Sequence, residues 1–168
     1  HQAVQRRLNR RLVASPAPRI TLVLGPLMAA AARSLFTTTV VLAAGLIGGV
    51  GLPGVTGTLV IYLLAVGFSA ATACWAMGVA FRARTIQAAP LMQVVVFLAV
   101  FTSVAYAPRE VLTGWLHHVA NVNPVTYLIE ASRAAELGTL GWAELWPGLL
   151  AMAGLVTGLG AWAMAGLA

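Results

Sequence analysis

Long apolar runs separated by short polar stretches dominate this chain of 168 residues. A helix needs about 20 apolar residues to cross the hydrocarbon core of a bilayer. Four runs have that length, and they cover residues 20–52, 58–81, 88–107 and 146–168. Arg33 interrupts the first run, and we expect it to lie near the cytoplasmic surface with its side chain reaching the aqueous interface. The pattern predicts an all-α integral membrane protein with four transmembrane helices.

The segment 108–145 breaks this pattern because it is polar, charged and punctuated by proline. Its first half carries apolar residues at helical spacing: Val111, Leu112, Trp115, Leu116 and Val119. Pro108 suits the first turn of a helix, where its missing N–H costs nothing. The spacing therefore predicts a short amphipathic helix that begins at Pro108.

A second short helix is predicted from Pro124 to about Leu137. Asn123 is a good N-cap for it, and Gly138 can end it. Glu130 and Arg133 stand three residues apart, so we expect them to pair on its surface. Helices this short and amphipathic lie in the membrane interface or fold partway into the protein; the apolar side of this one is Val125, Leu128 and Ile129.

Composition agrees with a membrane protein, since 60% of residues are hydrophobic and only 8% are charged, against about 25% in soluble domains. Five arginines fall in residues 6–19 and two in the loop 82–87, whereas the turn 51–57 has none. The positive-inside rule places the first two segments in the cytoplasm and 108–145 outside. We interpret the net charge of +6 as a flank beside anionic lipid and not as a nucleic-acid-binding surface.

The basic N-terminal stretch is also amphipathic. Val4, Leu8 and Leu12 are spaced by four, with arginines on the other side, and the prolines between residues 14 and 18 end the pattern. From the residues alone, binding to lipid headgroups and docking on a partner are equally good interpretations.

The sequence contains no recognisable nucleotide-binding, metal-binding or catalytic motif. The sequence has no lysine, so it holds no phosphate-binding G-x-x-x-x-G-K-[ST] loop. His117 and His118 are adjacent and diverge by about 100° on a helix, which disfavours joint metal binding. No His, Asp or Glu falls inside an apolar run, which argues against an intramembrane enzyme. The G-x-x-x-G pairs at 45/49 and 154/158 are expected to permit close helix packing.

Two phrases give the chain a family resemblance. The first is Arg11-Leu-Val-Ala-Ser-Pro16, followed by Arg19 and Leu22-Val-Leu-Gly-Pro-Leu27; the second runs from Pro108 to Tyr127 and continues to Ala131-Ser-Arg133. With them the chain resembles the membrane subunit of ABC-2 type exporters, a family that includes daunorubicin-resistance and polysaccharide exporters. It departs at Thr113, where proline is usual, and at Pro26, where Lys or Arg is common.

The resemblance implies that residues 1–168 are the C-terminal two-thirds of one six-helix membrane domain, with two helices upstream. It implies a cytoplasmic coupling helix within residues 1–19 that docks on an ATPase, through Leu8, Arg11, Leu12, Ser15 and Pro16. It also implies a pair of external re-entrant helices within 108–145, with Pro108, Trp115, Asn123, Pro124, Tyr127, Glu130 and Arg133 as their marker residues.

The function so implied is that of an exporter permease, which moves a lipophilic drug or a glycolipid or polysaccharide outward. A separate subunit would bind ATP and Mg²⁺ and hydrolyse the ATP, so this chain would be no enzyme and would hold no cofactor. A second permease copy and membrane lipid are the other expected partners, in a bacterial plasma membrane. The alternative is a non-transporting membrane scaffold or assembly protein, for which hydropathy alone would suffice.

Overall fold

The computed structural model describes residues 21–83 and 85–166. These residues form six α-helices and connecting turns, with no β-strand among them, so the predicted all-α fold is confirmed. The helices are α1 (Thr21–Ile47), α2 (Val55–Ala83), α3 (Ala89–Phe101), α4 (Trp115–Val122), α5 (Pro124–Glu136) and α6 (Trp142–Ala165). Short 3₁₀ turns, Ile86–Ala88 and Arg109–Val111, precede α3 and α4.

Helix α2 is the centre of the bundle and contacts α1, α5 and α6. Towards its N-terminal end, Val60, Ile61 and Leu64 are buried against α5, in a cluster that includes Leu128, Ala131 and Ala135. Towards its C-terminal end, Cys74 and Met77 are buried with Ala163 of α6. The helix buries residues along its length because neighbours cover several of its faces.

Two glycines allow α5 to approach its neighbours closely. A Cβ added to Gly57 of α2 would lie 2.6 Å from the carbonyl oxygen of Ala135, and one added to Gly148 of α6 would lie 2.8 Å from the Cβ of Ala131. Both distances are shorter than a van der Waals contact, so no larger residue fits without a shift of the helices.

The glycines of the two G-x-x-x-G pairs do not mark close contacts. Within the described residues nothing lies within 4 Å of a Cβ added to Gly49, Gly154 or Gly158, and Gly45 meets only the Val50 side chain at 4.0 Å. Among the described residues, the expectation of close packing at these pairs is wrong. A spacing of four shows that two glycines share a face, but it does not show which face meets a neighbour.

Three helices in the described part, α1, α2 and α6, are long and apolar enough to cross a membrane. Many of their large apolar side chains point away from the bundle, such as Phe36 and Ile47, which are 71% and 89% exposed. Outward apolar surface of this extent is typical of helices that face lipid.

The third apolar run forms a shorter helix than its composition predicted. Helix α3 has 13 residues, about 20 Å at 1.5 Å per residue, and turns follow it where the run was expected to continue to residue 107. The Ser103 hydroxyl donates to the Val100 carbonyl at 2.5 Å, and the Thr102 hydroxyl donates to the Leu98 carbonyl at 2.8 Å. The Ser103 N–H also bonds to the Val100 carbonyl, three residues back, so the i→i−4 pattern of the helix ends here.

The first of the two short helices begins later than predicted. Pro108 precedes the 3₁₀ turn Arg109–Val111, and α4 starts only at Trp115. Gly114 has a φ of 65°, a conformation that a continuous right-handed helix does not contain. The predicted start at Pro108 is therefore wrong, although the helix exists.

The second short helix agrees closely with its prediction. Asn123 caps α5, since its side chain accepts a hydrogen bond from the Val125 N–H at 2.9 Å, and Pro124 is the first helical residue. The helix ends at Glu136, before Gly138, whose φ of 69° breaks the right-handed course.

Arg33 lies near the middle of α1 and not near its end. The Ser69 hydroxyl donates to the Ala30 carbonyl at 3.0 Å, which places this part of α1 beside the middle of α2. The position of Arg33 relative to the membrane surface stays a prediction, because the structure shows only its place along the helix bundle.

Candidate functional site

The C-terminal end of α3 lies in apolar surroundings, where its last carbonyl groups accept hydrogen bonds from nearby backbone and from α5. A helix leaves its last carbonyls without partners inside the helix. The Thr102 N–H bonds back to the Leu98 carbonyl, and the Ser103 N–H bonds to the Val100 carbonyl. The carbonyl of Ala99 lies between them, and its hydrogen bond comes from α5.

Asn123 supplies that hydrogen bond and links the two helices. Its Nδ2 donates to the Ala99 carbonyl at 2.6 Å and to the Thr102 hydroxyl at 3.1 Å. Its Oδ1 accepts from the Val125 N–H at 2.9 Å. One amide side chain therefore caps the end of α3 and the start of α5 together, and its donor and acceptor each have a separate task.

Arg133, further along α5, makes another hydrogen bond between α5 and the chain that follows α3. Its Nη2 donates to the Val104 carbonyl at 3.2 Å, in the irregular segment that follows α3. Val104 itself is fully buried, so the arginine gives a carbonyl of buried backbone a partner. The predicted pairing of Arg133 with Glu130 is wrong, because the two side chains engage different groups.

Glu130 pairs instead with Arg109, which lies far from it in sequence. Arg109 Nη2 donates to Oε2 at 2.8 Å, and Nε approaches Oε1 at 2.5 Å as a charge contact. The guanidinium also lies over the ring of Tyr127, 4.9 Å from its centroid. Both side chains are about one-third exposed, at 29% and 35%, and this two-point contact fixes the 3₁₀ turn on α5.

The other predicted residues of this segment fall into two groups. Tyr127 belongs to the junction, since its hydroxyl donates to the Asn121 carbonyl at 2.7 Å, and Pro124 starts α5. Trp115 is 72% exposed and Pro108 is exposed, so the structure brings neither into the polar network. The hydroxyl of Thr126 is buried and has no hydrogen-bond partner among the described residues.

A second polar cluster lies at the opposite end of the bundle, and the sequence analysis missed it. The Arg82 guanidinium lies 4.2 Å from the Trp162 ring centroid, and its Nη2 donates to the Trp162 carbonyl at 2.8 Å. Trp162 stacks on Trp75 with ring centroids 5.0 Å apart, and the Trp75 indole donates to the Met92 carbonyl at 3.2 Å. The cluster joins α2, α3 and α6.

Gly78 makes this second cluster possible, because a Cβ there would collide with the Trp162 ring. One feature of the sequence points to this cluster, the arginine at the end of an apolar run. Tryptophans and glycines are too common in such runs for their spacing to identify partners across helices.

The predicted ATPase-coupling residues Leu8, Arg11, Leu12, Ser15 and Pro16 lie outside the described residues. In the part that the structure describes, no group of three His, Cys, Asp or Glu side chains is arranged to hold a metal ion. What the site offers is a set of side-chain donors that stabilise irregular backbone in an apolar bundle, which is a role of polar groups within membrane domains.

Three long apolar helices and a polar junction between two short ones define a multi-pass membrane protein. A family model described as ABC-2 type transporter matches residues 1–137. The chain therefore belongs to the ABC-2 type transporter family, as part of its membrane domain, and permeases of this family work with an ATP-binding-cassette ATPase. No curated protein matches the chain, and no solved structure matches it.

Proposed function

We propose that the chain is the permease subunit of an ATP-driven exporter that moves a lipophilic drug or a glycolipid or polysaccharide outward. Family membership supports transport in general. The observation that carries the proposal is the α3–α5 junction, where α3 breaks within the bundle and Asn123 and Arg133 supply donors to its free carbonyls. Broken helices of this kind accompany binding sites and movable elements in transporters.

The proposed topology has four crossings, with α3 and the segment after it, up to Ala107, as the third. The arginines of residues 6–19 and of the loop 82–87 favour a cytoplasmic location for both segments. The turn 51–57 and residues 108–145 are then external, and the chain is a multi-pass protein of a bacterial plasma membrane.

Helices α4 and α5 form the proposed re-entrant pair. The C-terminal residue Ala135 of α5 packs against Gly57, near the start of α2, whereas Leu128 packs against Leu64, further along it. Asn123, at the start of α5, reaches the end of α3. These contacts support an α5 whose N-terminus lies deeper in the membrane than its C-terminus.

The proposed partners are an ATPase subunit, a second permease copy and membrane lipid. The ATPase would bind ATP and Mg²⁺ and carry out the hydrolysis, because this chain contains no lysine for a phosphate-binding loop. It would dock on the amphipathic segment of residues 1–19, with Leu8 and Leu12 as its apolar contacts.

The docking proposal is tested by replacing Leu8 and Leu12 with glutamate in the full-length protein. We expect the ATPase to be lost from co-purification while membrane insertion stays intact, since charge removes the apolar stripe. The matched control is Val4→Glu, at the far end of the same stripe, with a smaller expected loss. Unchanged co-purification in the double variant would favour lipid binding over docking.

The transport proposal is tested in proteoliposomes that contain the full-length permease and its ATPase. We expect ATP-dependent movement of members of a panel of lipophilic drugs and glycolipids, abolished when the phosphate-binding lysine of the ATPase is replaced by alanine. A complex that assembles but moves nothing in the panel, with no stimulation of ATP hydrolysis, would support the scaffold alternative.

A further inference from the structure

Arg33 is a charged residue at mid-height of the bundle. On α1 it lies between Ala30, whose carbonyl accepts from Ser69, and Thr39, whose hydroxyl lies 2.7 Å from that of Tyr62. The level of Arg33 on α2 is therefore near Gly67, close to the middle of Val55–Ala83.

Helix α6 gives the same level independently. A Cβ added to Gly67 would collide with Met152, and Met152 is near the middle of Trp142–Ala165. A residue level with the midpoints of three spanning helices lies about 15 Å from either edge of a 30 Å hydrocarbon core. An extended arginine side chain reaches roughly 7 Å from its Cα, so snorkelling does not bring the guanidinium to the interface.

Nothing in the described part of the chain matches this charge. The Arg33 side chain is exposed, and its only hydrogen bond with a side chain is made by its carbonyl, which accepts from Thr37 at 2.9 Å. All four acidic residues of the sequence fall between Glu110 and Glu144, outside every apolar run.

A lone guanidinium is energetically unfavourable in hydrocarbon, and such residues usually face the protein interior or a water-filled path. The neighbouring structure favours such a path. Thr37, one helical turn from Arg33 on the same flank, lines a cleft of about 460 Å³ between α1, α2 and α5. Thr38, Ser132, Arg133 and Glu136 are its other polar lining residues.

The remainder of the cleft is apolar, with Leu42, Leu64 and Phe68 among its lining residues. The polar lining side chains thus come from α1 and α5, and the lining side chains of α2 are apolar. At the outer end of the cleft the charges of Arg133 and Glu136 offset each other. Arg33 is not itself a lining residue, but it stands one helical turn from the lining residue Thr37 and has no opposite charge beside it among the described residues. A negative group is therefore favoured beside Arg33 and not at the mouth.

We propose that Arg33 binds the anionic headgroup, a phosphate or a carboxylate, of an amphiphile whose apolar part occupies the cleft between α1, α2 and α5. The proposal rests on the transport function proposed above and narrows its cargo to anionic amphiphiles. The guanidinium suits this role because it offers several donors in one plane and stays charged in an apolar site.

The test is equilibrium binding, without ATP, to the purified permease–ATPase complex in nanodiscs of neutral phosphatidylcholine. The probe is dodecyl phosphate, compared with dodecylphosphocholine and dodecyl maltoside. We expect Arg33→Gln to raise the Kd for dodecyl phosphate at least tenfold and Arg33→Lys to raise it no more than threefold. The control Arg82→Gln removes a cation outside the cleft and should leave the Kd within twofold.

Equal Kd values for the wild type and Arg33→Gln, or equal affinity for the three headgroups, would overturn the proposal. An affinity for inorganic phosphate equal to that for dodecyl phosphate would show a simple anion site to which the alkyl chain contributes nothing, which also contradicts the proposal. Because the assay needs no ATP, transport can fail while binding succeeds, so failure of the exporter proposal is distinguishable from failure of this one.

A second measurement leaves Arg33 unchanged, in case its variants do not assemble. Phe68→Trp places a fluorophore on the apolar wall of the cleft. Dodecyl phosphate brominated on its chain should quench the added fluorescence, with half-saturation at the Kd found by direct binding. Binding without quenching at this position would place the amphiphile elsewhere and refute the assigned cleft.

Discussion

Replacing Asn123 with alanine tests how strongly the polar junction holds α3 and α5 together. The substitution removes the N-cap of α5 and the donor to the Ala99 carbonyl in one step. An alanine at an N-cap costs about 1 kcal/mol, and a carbonyl left without a partner in apolar surroundings costs about 1–3 kcal/mol. The expected loss of unfolding free energy is therefore roughly 2–4 kcal/mol.

Asn123→Ser separates these two contributions. A serine hydroxyl can cap α5 but is too short to reach the Ala99 carbonyl, so we expect it to recover about 1 kcal/mol of the loss. The matched control is Asn121→Ala, because the Asn121 side chain makes only a long 3.4 Å contact with His117. Its expected cost is below about 0.5 kcal/mol.

Thermal unfolding of the purified full-length complex measures the effect, followed by amide hydrogen exchange. At about 2–4 °C per kcal/mol for a protein of this size, Asn123→Ala should lower the Tm by roughly 4–16 °C. Exchange should accelerate first at the amides of Thr102 and Val125. An Asn123→Ala variant that melts with the Asn121→Ala control, with unchanged exchange, would refute the assigned role of the junction.

Two further predictions concern packing and topology. Gly78→Ala should displace Trp162, shift the tryptophan emission and lower the Tm. The control Gly158→Ala has open space around its added Cβ and should change neither the emission nor the Tm. Equal effects of the two substitutions would contradict the stacking of Trp162 in the second cluster. In a background without the native cysteine, Thr139→Cys should react with a membrane-impermeant thiol reagent on intact cells, and Thr85→Cys only after the cells are opened. The reverse labelling pattern would invert the topology and remove the basis for ATPase docking.

Local signals determined what the sequence could predict about the short helices. Asn123, Pro124 and Gly138 act within one or two turns of backbone, through a cap, a fixed φ and a left-handed residue. The bounds of α5 followed from them. The start of α4 did not, because Gly114 interrupts an apolar spacing that otherwise continues across it.

Long-range partners could not be predicted in the same way. Glu130 has Arg133 at helical spacing and Arg109 far upstream, and only the fold shows that the distant arginine is the partner. The same holds for Ala99, whose carbonyl needs a donor only because α3 ends there. The early end of α3 was hidden because its apolar composition continues past Phe101.

Helix α3 is attached to the bundle through hydrogen bonds to its backbone. Like α1, it buries no side chain among the described residues, but two polar side chains from neighbouring helices bond its backbone. The Trp75 indole donates to Met92 near its start, and the Asn123 amide donates to Ala99 near its end. In lipid, apolar contact between helices supplies little driving force, so hydrogen bonds carry more of the association. Displacing α3 would therefore break two identifiable hydrogen bonds and little apolar packing, whereas displacing α2 would open both buried clusters of the bundle.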